Sequence, residues 1–172
     1  MTEIQEKANT ISQELSIAEI RKYTKEAAPL IHCITNPISI HDCANIILAA
    51  GARPIMAEHP AEVAEITAVA SALMLNLGNI TDARIESIQR ALKEANRRKI
   101  PVLLDLVGVT CSSLRREFAR KLLTDGRFAV IKGNISEILA AADLPFHGTG
   151  IDAGSQDAIS QANEASYCTT AK

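Results

Sequence analysis

Apolar positions along this chain fall into two alternating patterns, short continuous runs and longer stretches at helical spacing. Leu30-Ile31-His32-Cys33-Ile34, Arg53-Pro54-Ile55-Met56, Ala72-Leu73-Met74-Leu75-Asn76, Pro101-Val102-Leu103-Leu104 and Phe128-Ala129-Val130-Ile131 have the length and continuity of short strands buried in a sheet. Between them the period lengthens. Ile11, Leu15, Ala18 and Lys22, with Ile17 and Ile20 alongside, predict an amphipathic helix from about Ser12 to Glu26, ended by Pro29. Ile40 to Ala50 predicts a largely buried helix stopped by Gly51, whose missing β-carbon allows a left-handed cap. Further helices are predicted over Pro60–Ala70, from a cap at Thr81 or Asp82 to Arg98 with a stripe of Ile85, Ile88 and Leu92, over Ser112–Leu123, and over Asn134–Ala142.

Strand followed by helix, repeated, implies an α/β fold with a doubly wound, mostly parallel sheet. The last part of the chain is less regular. Pro145 to Gly154 reads as a loop and Ser155 to Thr170 as a helix with Ile159 and Ala162 inward, after which no capping glycine or next strand follows. The expectation is one domain over 1–172 that is C-terminally incomplete.

With 172 residues and 47% hydrophobic content the chain can bury a sizeable core. Eighteen basic residues against twenty acidic ones leave a net charge of -2, and only 3% of residues are aromatic, so neither the electrostatics nor the stacking groups of a nucleic-acid binder are present. The acidic start, Met1-Thr2-Glu3-Ile4-Gln5-Glu6, is not a signal peptide, and no stretch approaches the roughly 20 apolar residues of a membrane span. Cys33, Cys43, Cys111 and Cys168 are scattered without a C-x-x-C pair, the pattern of reduced thiols in a cytoplasmic protein.

Candidate chemistry gathers where strands end. Asp105 follows an apolar strand and can serve Mg²⁺, directly or through water, or simply cap the turn that follows. In Lys132-Gly133-Asn134-Ile135-Ser136-Glu137, the glycine permits a sharp strand-to-helix turn, and Asn134 and Glu137 fall on one helical face. That pair can hold metal-bound water while Lys132 offsets phosphate charge, or it can close a capping box. Asn36 can hydrogen-bond a small substrate, but an Asx turn before Pro37 is the preferred reading. Met56 can wall a ring-binding pocket or pack in the core. His32, His41, His59 and His147 share no ligand spacing and read as structural or surface residues, and Gly148-Thr149-Gly150 reads as a connector.

Taken as a set, several of these segments resemble a known family. Pro29-Leu30-Ile31-His32-Cys33-Ile34-Thr35-Asn36, Ala44-Asn45 and Gly51-Ala52-Arg53-Pro54-Ile55-Met56-Ala57 are similar to the N-terminal signature of hydroxyethylthiazole kinase. Leu75-Asn76-Leu77-Gly78, Asp105-Leu106-Val107-Gly108 and Ile131-Lys132-Gly133-Asn134-Ile135-Ser136-Glu137 follow in that family's order. Related kinases for hydroxymethylpyrimidine or pyridoxal share the fold but not the Cys33-Ile34-Thr35-Asn36 and Pro54-Ile55-Met56-Ala57 signatures.

The resemblance implies a ribokinase-like fold, a homotrimer with active sites at subunit boundaries, and phosphorylation of 4-methyl-5-(2-hydroxyethyl)thiazole by ATP and Mg²⁺ in thiamine salvage. By the same resemblance, Met56, Asn36 and Gly78 line the thiazole pocket, Lys132 and Asn134 meet ATP, and Asp105 and Glu137 lie near the metal and phosphates. Lys132 stands where the family often has Arg, keeping the charge without the planar fork. Leu106 replaces a common Pro, and Thr110-Cys111 stand where many members are richer in Gly and Ala. The family's glycine-rich anion hole, with the Cys or Asp that acts on the hydroxyl, is expected beyond Lys172. Cys168 lacks its flanking glycines, so no catalytic residue is assigned and the 172-residue form is expected to be inactive. The other reading is a truncated, non-catalytic fragment that binds thiazole or associates with related subunits.

Overall fold

The computed structural model describes residues 16–148. The expectations for Ser155–Thr170, Cys168 and the start of the first helix lie outside that range. Within it, strands and helices alternate as α1 (Ile17–Ala27), β1 (Leu30–Ile34), α2 (Ile40–Ala50), β2 (Arg53–Ile55), α3 (Val63–Val69), β3 (Ala72–Asn76), α4 (Asp82–Arg98), β4 (Val102–Asp105), α5 (Ser113–Asp125), β5 (Val130–Lys132) and α6 (Ile135–Ala141). The strands form one sheet in the order β2-β1-β3-β4-β5, with every pairing parallel. The chain leaves β1 in one direction to form β2 and then crosses back to β3. That reversal makes the carboxyl end of β1 and β3 a topological switch point, where open α/β sheets bind ligands.

Local chemistry sets the helix boundaries. Ser16 and Glu19 close a capping box on α1, Thr81 Oγ1 accepts the Arg84 amide at the start of α4, and Gly51 ends α2 at φ 96°, a left-handed conformation that glycine adopts freely. α3 starts at Val63 rather than Pro60 and buries Val63 and Thr67. α4 turns Ser87, Ile88, Ala91, Leu92 and Ala95 inward, so the predicted stripe holds around Ile88 and Leu92. Ile88, Ala91, Leu92 and Ala95 meet Leu73, Leu75, Val102 and Leu104 of the sheet, with Phe118, Leu122 and Phe128, in one core.

Two expectations of burial are corrected. No residue of α2 is buried, and Ile46 and Leu48 are 70% and 57% exposed. The right-handed crossover from β1 to β2 sends α2 to the sheet face opposite the one taken by the rightward crossovers. On that face, among the described residues, α2 meets β2 and α1. β5 is also open, with all three of its residues exposed, because it is the edge strand of the described sheet. Among the described residues no helix is long and apolar enough to cross a membrane.

Candidate functional site

Parallel pairing puts the carboxyl ends of all five strands on one edge, and the register aligns their terminal residues. Asn76 of β3 lies opposite Asp105 of β4, which lies opposite Lys132 of β5. Their side chains join. Asn76 Nδ2 donates to Asp105 Oδ2 over 3.2 Å, and Lys132 Nζ lies 3.3 Å from both Asp105 oxygens. On the other side Asn36, just past β1, donates from Nδ2 to Asn76 Oδ1 over 3.1 Å. A polar row therefore runs Asn36, Asn76, Asp105, Lys132 across four adjacent strands.

Asn36 also makes the Asx turn read from its sequence, since its Oδ1 accepts the amides of Ile38 and Ser39 at 3.0 and 3.1 Å. Gly78 is buried against the row, its amide donating to Asn76 Oδ1 over 2.9 Å. A β-carbon at Gly78 would come within 2.9 Å of both Asn36 Nδ2 and Asn76 Oδ1, so the close approach requires glycine. Met56, half-buried, sits one residue beyond β2, the strand next to β1, which places it along the same edge as Asn36 and Gly78.

Asp105 and Glu137 converge on one turn. The Val107 amide donates to Asp105 Oδ1 over 3.2 Å, and the next amide, Gly108, donates to Glu137 Oε1 over 2.8 Å. Gly108 has φ 76°, the left-handed region that favours glycine. The second Glu137 oxygen accepts the Asn134 amide over 2.8 Å while Asn134 Oδ1 accepts the Glu137 amide over 2.9 Å, so the capping-box reading is realised. Glu137 is buried and Asp105 keeps 14% of its side chain exposed, whereas Lys132 is 63% exposed and can swing toward an anion.

Two buried groups brace this edge. His32 contacts Thr67 Oγ1 through Nδ1 at 2.8 Å, and its Nε2 donates to the Ala57 carbonyl at 2.9 Å, beside Met56. Burial lowers its pKa, opposed by the Ala57 bond and by Glu62, so the ring is a neutral strut. Arg84, 6% exposed, donates from Nε and Nη2 to Glu58 Oε2 at 2.9 and 2.8 Å and from Nη1 to the Asn79 carbonyl at 2.9 Å. It thereby ties the Met56 loop to the Gly78 turn, while burial pushes the Cys33 thiol up to about 12, too protonated to act as a nucleophile.

Asn76 and Arg84 had no assigned role in the sequence. An Asn ending a strand reads as a turn former, and only the strand register reveals its position beside Asp105. Asp82 and Arg84 open a helix like many solvated charges, and nothing in the local spacing signals a partner 26 residues away.

Residues 21–170 match the model of the hydroxyethylthiazole kinase family. The chain belongs to that family. It is 54% identical over 145 residues to hydroxyethylthiazole kinase 2 of Clostridium botulinum (strain 657 / Type Ba4), a match covering 84% of this chain and 55% of the relative. It is 44% identical over 142 residues to hydroxyethylthiazole kinase of Alkaliphilus metalliredigens (strain QYMF), covering 83% and 51%. The structure of hydroxyethylthiazole kinase protein from Pyrococcus horikoshii OT3 superposes with a TM-score of 0.71 at 35% identity, covering 74% of this chain and 50% of that one. The chain thus spans about half the length of the curated relatives it matches. The α/β, ribokinase-like fold expected from the alternating pattern and the resemblance is borne out.

Proposed function

We propose that this chain supplies the thiazole wall and part of the nucleotide site of a hydroxyethylthiazole kinase, in one ribokinase-like domain. The reaction transfers the γ-phosphoryl group of ATP to the hydroxyl of 4-methyl-5-(2-hydroxyethyl)thiazole, in thiamine salvage in the cytoplasm. The observation that carries the reading is the polar row at the sheet edge. In that row the residues assigned to thiazole (Asn36 and Gly78, with Met56 beyond β2) lie beside one assigned to the metal (Asp105) and one assigned to the nucleotide (Lys132).

Phosphoryl transfer asks a protein mainly to position its reactants and to neutralise charge. Met56 and the buried backbone at Gly78 present an apolar and close-fitting wall to a ring, and Asn36 orients it. Lys132, exposed and, among the described residues, held by 3.3 Å contacts to Asp105, exchanges that partner for phosphate oxygens, with Asn134 beside it. Mg²⁺ suits this donor set, because it takes one or two carboxylates together with phosphates and retained waters. Among the described residues no group of three or more His, Cys, Asp or Glu could hold a metal ion. When bound, Mg²⁺ neutralises charge on the phosphates. Asp105 would hold it directly or through water, and Glu137, with both oxygens taken by amides, would add negative charge nearby.

Assembly into a homotrimer is part of this proposal. Ile17, Ile20, Tyr23, Ile46 and Leu48 expose apolar surface on α1 and α2, and such surface marks association sites. The test is an ATP- and Mg²⁺-dependent phosphorylation assay on the full-length protein. Formation of the thiazole monophosphate is the expected result, and its absence with ATP and Mg²⁺ both present would remove the kinase reading.

A further inference from the structure

Asn76 is the middle of the row, and it touches both halves without being assigned to either. It is 7% exposed, and its carboxamide is held in one orientation. Oδ1 accepts from Asn36 Nδ2 and the Gly78 amide, and Nδ2 donates to Asp105 Oδ2. The Gly78 N–H only donates and an ionised carboxylate only accepts, so the amide cannot be turned over without opposing like groups on both sides. Among residues of this size only Asn offers two acceptor sites on one branch and a donor on the other.

We propose that Asn76 is a positioning residue for phosphoryl transfer, its carboxamide locking the thiazole side and the nucleotide side of the site into one register. The proposal rests on the kinase reading. In a reaction governed by placement, reacting atoms must approach to about 3–3.5 Å, and a displacement of about 1 Å costs on the order of 100-fold in rate. Asn36 and Gly78 stand on one side of this carboxamide and Asp105 on the other, with each contact between 2.9 and 3.2 Å. Cutting the link to Asp105 frees the carboxylate from the thiazole wall while leaving that wall intact.

Asn76→Asp makes that cut. Its carboxylate still accepts from Asn36 and Gly78, but it replaces the donor 3.2 Å from Asp105 with a second acceptor. Steady-state kinetics of the full-length protein should show kcat lowered by about tenfold or more and the KM for Mg-ATP raised, with the KM for hydroxyethylthiazole within about twofold of the unaltered protein. Asn76→Ser has a smaller side chain with no carboxylate, and so avoids the clash if the Asp variant does not fold. It loses both links, and both KM values should rise. An unchanged kcat in Asn76→Asp, equal losses for the two substrates in that variant, or unaltered kinetics in Asn76→Ser would overturn the proposal while the kinase reading stands. No ATP-dependent phosphorylation by the unaltered protein would overturn both.

Discussion

Glu137 offers a sharp quantitative test of how this edge is held. Its side chain is 3% exposed, and its two oxygens each accept a backbone amide at 2.8 Å, one from Gly108 in the turn after β4 and one from Asn134 at the cap of α6. A single carboxylate therefore fastens two segments 29 residues apart. Glu137→Gln preserves the shape but has one acceptor, so its NH₂ group must face one of the two N–H donors. The variant loses one hydrogen bond to a charged acceptor, about 1.5–3 kcal/mol, and leaves a buried donor unsatisfied. Allowing for relaxation, the net destabilisation should be about 2–4 kcal/mol, a large share of the roughly 5–15 kcal/mol that holds a domain together.

Equilibrium urea unfolding reads this directly. With a slope of about 2 kcal/mol/M, the middle of the range for small proteins, the midpoint should fall by roughly 1–2 M. Asp125→Asn removes the same charge from an exposed pair with Lys121, each side chain more than half exposed, and should change stability by less than about 0.5 kcal/mol. If Glu137→Gln unfolds at the same urea concentration as Asp125→Asn, Glu137 is not the clasp described, and its negative charge is not held in place for a nucleotide.

Gly78→Ala would set a β-carbon 2.9 Å from Asn36 Nδ2 and Asn76 Oδ1, and both atoms are tied into the polar row, so neither retreats without breaking a bond. Overpacking of this kind costs about 1–3 kcal/mol, and thermal unfolding with thiazole-binding calorimetry should show loss of stability and of thiazole affinity together; normal binding would refute the placement of Gly78. His32 makes stability depend on pH, because burial lowers its folded pKa below the ordinary 6.5. The unfolded chain then binds the extra proton first, so stability is fully present above about pH 6.5 and is lost as pH falls through the lowered value. The stability advantage of the unaltered protein over His32→Gln should therefore be larger at pH 7.5 than at pH 5, and a pH-independent difference in urea midpoint would contradict it.

Much of the scaffold is legible from local signals. β1 and β3 occupy the residues their apolar runs mark out, Thr81 caps α4, Gly51 ends α2, and Asn134 with Glu137 closes a capping box. Each of these depends on neighbours within a few residues. Burial on α2 and β5 was misjudged for the opposite reason. Apolar content says that a face wants a partner, whereas crossover handedness and strand order decide which elements lie against it. Val130 and Ile131 are as apolar as Leu103 and Leu104, yet they end up 50% and 38% exposed because β5 is the edge of the described sheet.

The site divides along the same line. Asp105 and Lys132 are legible because a charge that ends an apolar run stands out and β-strand ends in a parallel sheet must share an edge, and Glu137 is legible through its capping-box spacing from Asn134. Asn76 was not, since its significance comes from register: moving β3 by one residue against β4 would replace it opposite Asp105 with Leu75 or Leu77. Arg84 is hidden similarly, because its carboxylate partner Glu58 lies 26 residues away and reaches it only through the fold. The residues proposed to meet ligands are advertised by their chemistry at or just beyond strand ends. Those that hold them in position are set by the three-dimensional pairing of elements, so the groups linking the two halves of this site become visible only once the sheet is assembled.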